Sequence, residues 1–285
     1  MRKHSDYLWD DAARQWLQET AYKRSHCDDR AKLIWIGCRW NGWPLTAIDR
    51  MAIQQLAQQK LAEALPATVN RYLALIRAIL RRACREWEWI ERVPYVRLFP
   101  ERARRVSWIT PEQARRLLDE LPQHQRDLVL FALSTGLRQS NVLGLRWDQV
   151  DLRRLVVWFY GDQVKNGEDL LVSLNDTALD VLRRRRGLHP VYVFSWRGKR
   201  LKSANTRAWK LALARAGIEN FRWHDLRHTW ASWLVQQGVS LYALQEMGGW
   251  KSAVMVRKYA HFAPAHHLRH AKLIDQMLQP LAEGS

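Results

Sequence analysis

The segment RWHDLRHTW, Arg222–Trp230, sets two histidines and an arginine between tryptophans, with a second arginine just before them. On a helix His224 and Arg227 are three residues apart and therefore neighbours on one face. Trp230, Ala231 and Leu234 fall near the same side and would limit water there. A shielded His–Arg pair suits an anionic oxygen, because a guanidinium can grip two oxygens while an imidazole exchanges a proton. Alone, such a pair is more often structural than chemical, so its meaning depends on the rest of the chain.

Three further segments supply that context. In STGLRQSNVLGLRWDQV, Arg138 follows a glycine-containing turn and opens a new helix whose Val142, Leu143 and Leu145 face a core. An arginine beside a helix N-terminus, where backbone amides are free, is well placed to hold phosphate. QVKNGED puts Lys165 at a hairpin tip, from which it could swing into a groove. In MGGWKSAVMVRKYAHF, Tyr259 stands nine residues after Trp250. Taken singly these are an exposed lysine, a core tryptophan and a surface tyrosine; their order and spacing make them a set.

The charge of the whole chain points to the same substrate. Lysine and arginine number 46 against 28 acidic residues among 285, a net charge of +18 spread along the sequence. Such a chain attracts polyanions, nucleic acid first among them. The widely spaced Cys27, Cys38 and Cys84 form no CxxC pair and read as reduced, partly buried thiols, neither disulfides nor zinc ligands. No stretch is apolar for long enough to span a membrane, and the charged N-terminus lacks a signal-peptide core. The 16 tryptophans are expected in the core.

The elements that must position these residues fall into two groups. Residues 1–92 read as a helical domain. Leu8, Ala12, Trp16 and Leu17 form one stripe, and Ile48, Met51, Ile53, Leu56 and Leu61 a second. In a third helix, capped by Thr68, the apolar face is Val69, Tyr72, Leu73, Ile76, Leu80, Ala83 and Trp87. Arg71, Arg82 and Arg85 lie on its other side and are candidate phosphate contacts. Residues 93–107, with Pro94, Pro100, Arg102, Arg104 and Arg105, read as a basic linker able to lie along DNA. Thr110, Pro111 and Gln113 then form a capping box that opens residues 108–285 as a second domain. There RLVVWFY and DLLVSL read as paired strands, VYVFSW as a short strand, and the remainder as helices, with Gly217 and Gly238 at C-caps. The fold class is mainly α with a small β-sheet.

At these residues the sequence resembles the tyrosine recombinase, or phage integrase, family, over nearly the whole chain. TGLRQSN resembles its first arginine box, the lysine before Asn-Gly its hairpin lysine, HDLR its second box, GGWKS and RKYAH its last two positions. The resemblance implies a two-domain DNA clamp made of a core-binding domain and a mixed α/β catalytic domain. It implies Arg138, Lys165, His224, Arg227, Trp250 and Tyr259 as catalytic residues, Tyr259 as nucleophile, and neither metal nor other cofactor. It implies a duplex target site, a homotetramer assembling on DNA from monomers, room for accessory DNA-bending factors, and work in the bacterial cytoplasm at the nucleoid. The C-terminal PAHHLRHAKLIDQMLQPL is expected to be an amphipathic helix that docks on a neighbouring protomer. One departure stands out: Asn141 occupies a position where the family usually has an acidic residue, and an amide accepts a hydrogen bond without supplying charge. The alternatives are a type IB topoisomerase, with the same tyrosine chemistry, and a DNA-binding protein without catalysis.

Overall fold

The computed structural model describes residues 7–101, 106–163 and 167–262, with isolated positions 271, 272 and 274. The chain divides into two compact units, Met1–Arg104 and Arg105–Ser285.

The first unit is helical: α1 (Trp9–Glu19), α2 (His26–Trp40), α3 (Arg50–Leu61) and α4 (Pro66–Arg85). Its core gathers Trp9, Trp16, Ile36, Trp40, Ile53, Leu56, Leu73, Ile76 and Leu80, so here the tryptophans do fill space. Two expectations are corrected. α4 starts at Pro66, with Leu65 rather than Thr68 at the cap, because proline's fixed φ suits a first helical position. Met51 is 61% exposed; α3 instead buries Ala52, Ile53, Leu56 and Ala57, with Asp49 accepting from the Ala52 amide at its N-terminus.

Residues 93–101 have no regular structure, yet they pack onto the helical unit. Val96 is buried, and Asn70 on α4 donates to the Phe99 carbonyl and accepts from the Phe99 amide. Arg102, Arg104 and Arg105 lie outside the described residues.

The second unit opens with α5 (Pro111–Asp119), where Thr110 and Gln113 cap one another reciprocally as their spacing predicts. Then come α6 (Gln123–Thr135) and α7 (Gln139–Gly144). A three-stranded antiparallel sheet follows, β1 (Val150–Asp151), β2 (Val156–Phe159) and β3 (Leu170–Ser173), in that order. Val157 faces Val172 and Phe159 faces Leu170; these four are buried while Trp158 and Leu171 are exposed, the alternation of a sheet with one wet face. After α8 (Asp176–Arg185) only Ser195–Trp196 of VYVFSW forms a strand, β4, pairing with β5 (Lys199–Arg200). Val193 and Phe194 are wholly buried, so their hydrophobicity reports core packing rather than a long strand.

Helices α9 (Arg207–Arg215), α10 (Asp225–Gln236), α11 (Leu241–Gly248) and α12 (Ala253–Arg257) complete the described fold. Gly217 and Gly238 sit just past the ends of α9 and α10 with φ of +66° and +96°, a conformation that costs glycine little. α6 packs against both α8 and α10, and its last residues carry the turn that leads to Arg138. The unit is mainly helical with small sheets. Cys27 and Cys38 are exposed on α2 instead of partly buried, and all three cysteines are free thiols.

Candidate active site

Arg227 is the organising residue. It lies one turn into α10 and is 4% exposed, an unusual place for a guanidinium. Its Nη1 donates to the Gly136 carbonyl at 2.7 Å and its Nη2 to the Gly248 carbonyl at 2.5 Å. The first carbonyl ends α6 and the second ends α11, so one side chain ties both loops to α10. Two of five guanidinium N–H bonds are thus committed to carbonyls among the described residues. Trp250 stacks on the guanidinium, whose Cζ is 3.9 Å from the ring centroid.

The glycines are required where they stand. Gly136 has φ of +63°, and a Cβ there would come within 2.3 Å of the Trp230 ring. A Cβ on Gly248 would lie 2.0 Å from Trp250. Each glycine lets a carbonyl reach Arg227 while an indole closes over it. Trp230 and Trp250 stack with centroids 6.1 Å apart and belong to one apolar cluster with Ala231, Val235, Leu244, Val256 and Tyr259.

Arg138 is the N-cap of α7, half-buried, with Nη2 directed at the Gly249 carbonyl at 3.4 Å. Burial lowers its pKa. Burial, then the charge of Arg138, lowers that of Arg227 to about 9. Among the described residues Arg227 forms no ion pair with a carboxylate; its partners are neutral carbonyls. Such a pair of cations is stabilised by an incoming anion. Asn141 is 3% exposed on the first turn of α7, its backbone N–H donating to the Arg138 carbonyl at 2.9 Å.

Tyr259, expected on the surface if it were only structural, is fully buried. The turn after α12 carries it back onto α10, where its hydroxyl meets His228 Nδ1 at 2.6 Å. Its ring centroid is 5.9 Å from that of Trp250. Burial raises the phenol's pKa, and Arg227 pulls it back in part. His224, at the N-cap of α10, is exposed and makes no hydrogen bond to Tyr259 among the described residues. It meets His228 edge-on at 4.9 Å, and its pKa is lowered by lost solvent, then by Arg227 and Lys258. Lys165 lies outside the described residues. The base of its hairpin is nevertheless close, because β3 contacts α11 and Leu170 would meet a Cβ placed on Gly249 at 2.9 Å.

The structure therefore brings together Arg138, His224, Arg227, Trp250 and Tyr259. Two further groups were missed in the sequence. His228 is four residues after His224 and so on the same helical face, a signal present in HDLRH. Lys258, exposed at the end of α12 and 5.2 Å over the Tyr259 ring, had only its adjacency to the tyrosine.

His228 also makes a stability prediction. Burial first, then the charges of Lys258 and His224, push its pKa down to about 3. A histidine in the unfolded chain binds a proton near pH 6.5, whereas the folded site refuses it. Folding is therefore favoured above that pH, and this share is lost progressively as pH falls toward the folded value. The slope reaches about 1.4 kcal/mol per pH unit for one proton. Melts of His228→Asn between about pH 7.5 and 5 should show a shallower acid-side loss than wild type. Parallel slopes would show that His228 protonates freely in the folded protein.

Of the candidate DNA-contacting arginines, Arg71 and Arg85 on α4 are exposed. Arg82 is engaged differently: it bonds Glu19 at 2.7 Å and pairs with Glu86 at 3.3 Å, bracing α4 to α1.

A model of the phage integrase family matches residues 107–266. The integrase of Salmonella phage P22 is 38% identical over 95% of this chain and 81% of its own length. The integrase of Haemophilus phage HP1 (strain HP1c1) is 29% identical over 70% of this chain and 57% of its own. Lambda integrase, solved as a dimer bound to a COC′ core site and as a tetramer bound to a Holliday junction, shares the fold. The TM-scores are 0.75 and 0.73, each at 18% identity over 90% of this chain and 78% of that one. Fold and relatives together define a tyrosine-type site-specific recombinase, an integrase of phage or mobile-element origin. The chain belongs to the phage integrase family. Among the described residues no helix is long and apolar enough to cross a membrane.

Proposed function

We propose that this chain cuts and rejoins duplex DNA at a specific site through a 3′-phosphotyrosine formed on Tyr259. The observation that carries this reading is Arg227: a buried guanidinium with no carboxylate partner among the described residues, sharing Trp250 with a buried phenol. A phosphodiester would supply the missing negative charge. Attack on phosphorus builds further charge on the non-bridging oxygens, and Arg138 and Arg227 are fixed donors suited to neutralise it. Tyr259 forms the bond to phosphorus, the bond to the 5′-oxygen breaks, and the stored phosphoester makes ATP unnecessary. A 5′-hydroxyl from another strand reverses the step. Two such rounds in a tetramer on DNA exchange strands through a Holliday junction, as the lambda neighbours in their solved complexes suggest.

Within this reading residues 1–92 form the core-binding domain, 93–107 the linker and 108–285 the catalytic domain, with the C-terminal segment docking on a neighbouring protomer. Most of that segment lies outside the described residues. Arg71 and Arg85, with Arg102, Arg104 and Arg105, would contact phosphates; Arg82 serves mainly as a brace. Accessory DNA-bending proteins and a bacterial host's DNA complete the expected setting. His224 and Trp250 would assist at the phosphate, His224 from the exposed rim and Trp250 through its indole N–H.

The test is a nicked target duplex whose short 5′-hydroxyl fragment diffuses away. Wild-type protein should accumulate as a detergent-resistant DNA adduct in EDTA without ATP, leaving the DNA 3′ end blocked. Strand cleavage that needs added magnesium would overturn the reading.

Lys165 is assigned as the acid that protonates the departing 5′-oxygen. Lys165→Ala should lower cleavage about 10²–10⁴-fold while leaving DNA affinity nearly unchanged. A substrate with a bridging 5′-sulfur departs without that proton and should restore the rate. An equal defect on both substrates would make Lys165 a positioning group.

A further inference from the structure

We propose that His228, rather than His224, accepts the phenolic proton of Tyr259 as the tyrosine attacks DNA. The inference rests on Tyr259 being the nucleophile, and it names a residue to which the family resemblance assigns no part.

The geometry is direct. His228 sits on α10 four residues from His224 and one from Arg227, 9% exposed, with Nδ1 at 2.6 Å from the Tyr259 hydroxyl. That distance is a hydrogen bond in any assignment of the proton. His224 is exposed at the N-cap, meets His228 edge-on at 4.9 Å, and has no hydrogen bond to the phenol among the described residues. A general base must be within hydrogen-bond reach of the proton it removes, and among the described residues only His228 meets that condition.

The surroundings leave the resting His228 unprotonated, at a cost to its basicity. Facing it are Lys258, from the turn after α12, and His224, Asp225 and Arg222 around the start of α10. Asp225 is fully buried and bonded to Arg222 at 3.0 Å, so its charge is largely spent there. Burial and the neighbouring cations hold the resting imidazole neutral, and in the tautomer with its proton on Nε2 the Nδ1 atom accepts from the phenol. Arrival of a phosphate offsets the cations and makes the imidazolium easier to form.

The step balances as follows. The phenol O–H bond breaks and its proton passes to Nδ1. The phenolic oxygen bonds to phosphorus, and the P–O5′ bond breaks with its electron pair on O5′. That oxygen takes a proton from the general acid assigned to Lys165. On rejoining, the incoming 5′-hydroxyl gives its proton back to that acid, and the His228 imidazolium returns its own to the departing phenolate.

His228→Asn separates proton transfer from positioning, because the Asn amide oxygen can occupy the place of Nδ1 and accept the same hydrogen bond without taking a proton. Adduct formation on the nicked duplex, with protein saturating, should fall about 10²–10⁴-fold in His228→Asn and in His228→Gln. DNA affinity, which reports folding of both variants, should stay within about twofold of wild type. The 5′-sulfur substrate should leave the defect in place, since His228 acts on the attacking side. His228→Asn cleaving within about tenfold of wild type, or sulfur rescue of either variant, would overturn the proposal. Adduct formed by Tyr259→Phe would instead overturn the nucleophile assignment beneath it.

Discussion

Tyr259→Phe should fold, bind its DNA target and form no covalent adduct at all. The substitution removes one oxygen and retains a ring that is fully buried among Trp250, Val256 and Trp230. Lost with the oxygen is the 2.6 Å hydrogen bond to His228, a change of about 1 kcal/mol in stability. Cleavage has no such remainder. Among the described residues the phenol is the hydroxyl that hydrogen-bonds His228, so in this reading the attacking atom itself is gone. The adduct should fall below detection on the nicked duplex, a loss of at least about 10⁴-fold if chemistry ceases. A phosphoryl–protein bond appearing in the Phe variant would place the nucleophile elsewhere in the chain.

Arg227→Lys should fail in two ways at once. Lysine keeps the charge, yet its single ammonium cannot bridge the Gly136 and Gly248 carbonyls while also holding a phosphate. Losing one charged hydrogen bond to a buried carbonyl costs about 1.5–3 kcal/mol, and the stacking on Trp250 weakens as well. The second unit should melt several degrees lower, since each kcal/mol is worth about 2–4 °C at this size. Cleavage should fall further than stability explains, about 10²–10³-fold under conditions where the variant is folded, because a fixed donor to the developing charge has been removed. Thermal melts beside single-turnover cleavage at low temperature separate the two effects. A variant that melts early but cleaves at the wild-type rate when folded would reduce Arg227 to a structural brace.

Most capping signals were legible in the chain, the expected Thr68 cap being displaced by Pro66. Thr110 and Gln113 close on each other as their spacing requires, and Gly136, Gly217 and Gly238 end helices in the left-handed region. These are contacts within one turn, so residue type alone settles them. The strand alternation of β2 and β3 was equally readable, since burial on one face imposes a period of two. Elsewhere packing decided what the period could not. Met51 follows the helical period but points away from the core, and Arg82 on a basic face answers to Glu19, 63 residues earlier.

The order of Arg138, Lys165, His224, Arg227, Trp250 and Tyr259 was enough, by resemblance, to indicate a family and a chemistry, because each residue type carries its own reactivity wherever it lies. What the linear order could not contain was the partnership of each group. Arg227 joins carbonyls 91 residues before it and 21 after it, which requires α6, α10 and α11 to converge. Tyr259 meets His228, 31 residues away, because the turn after α12 folds back onto α10 at the level of its first turn. His224 and His228 are alike in type and share one helical face. Burial and the approach of a distant tyrosine distinguish them, and both are properties of packing rather than of sequence.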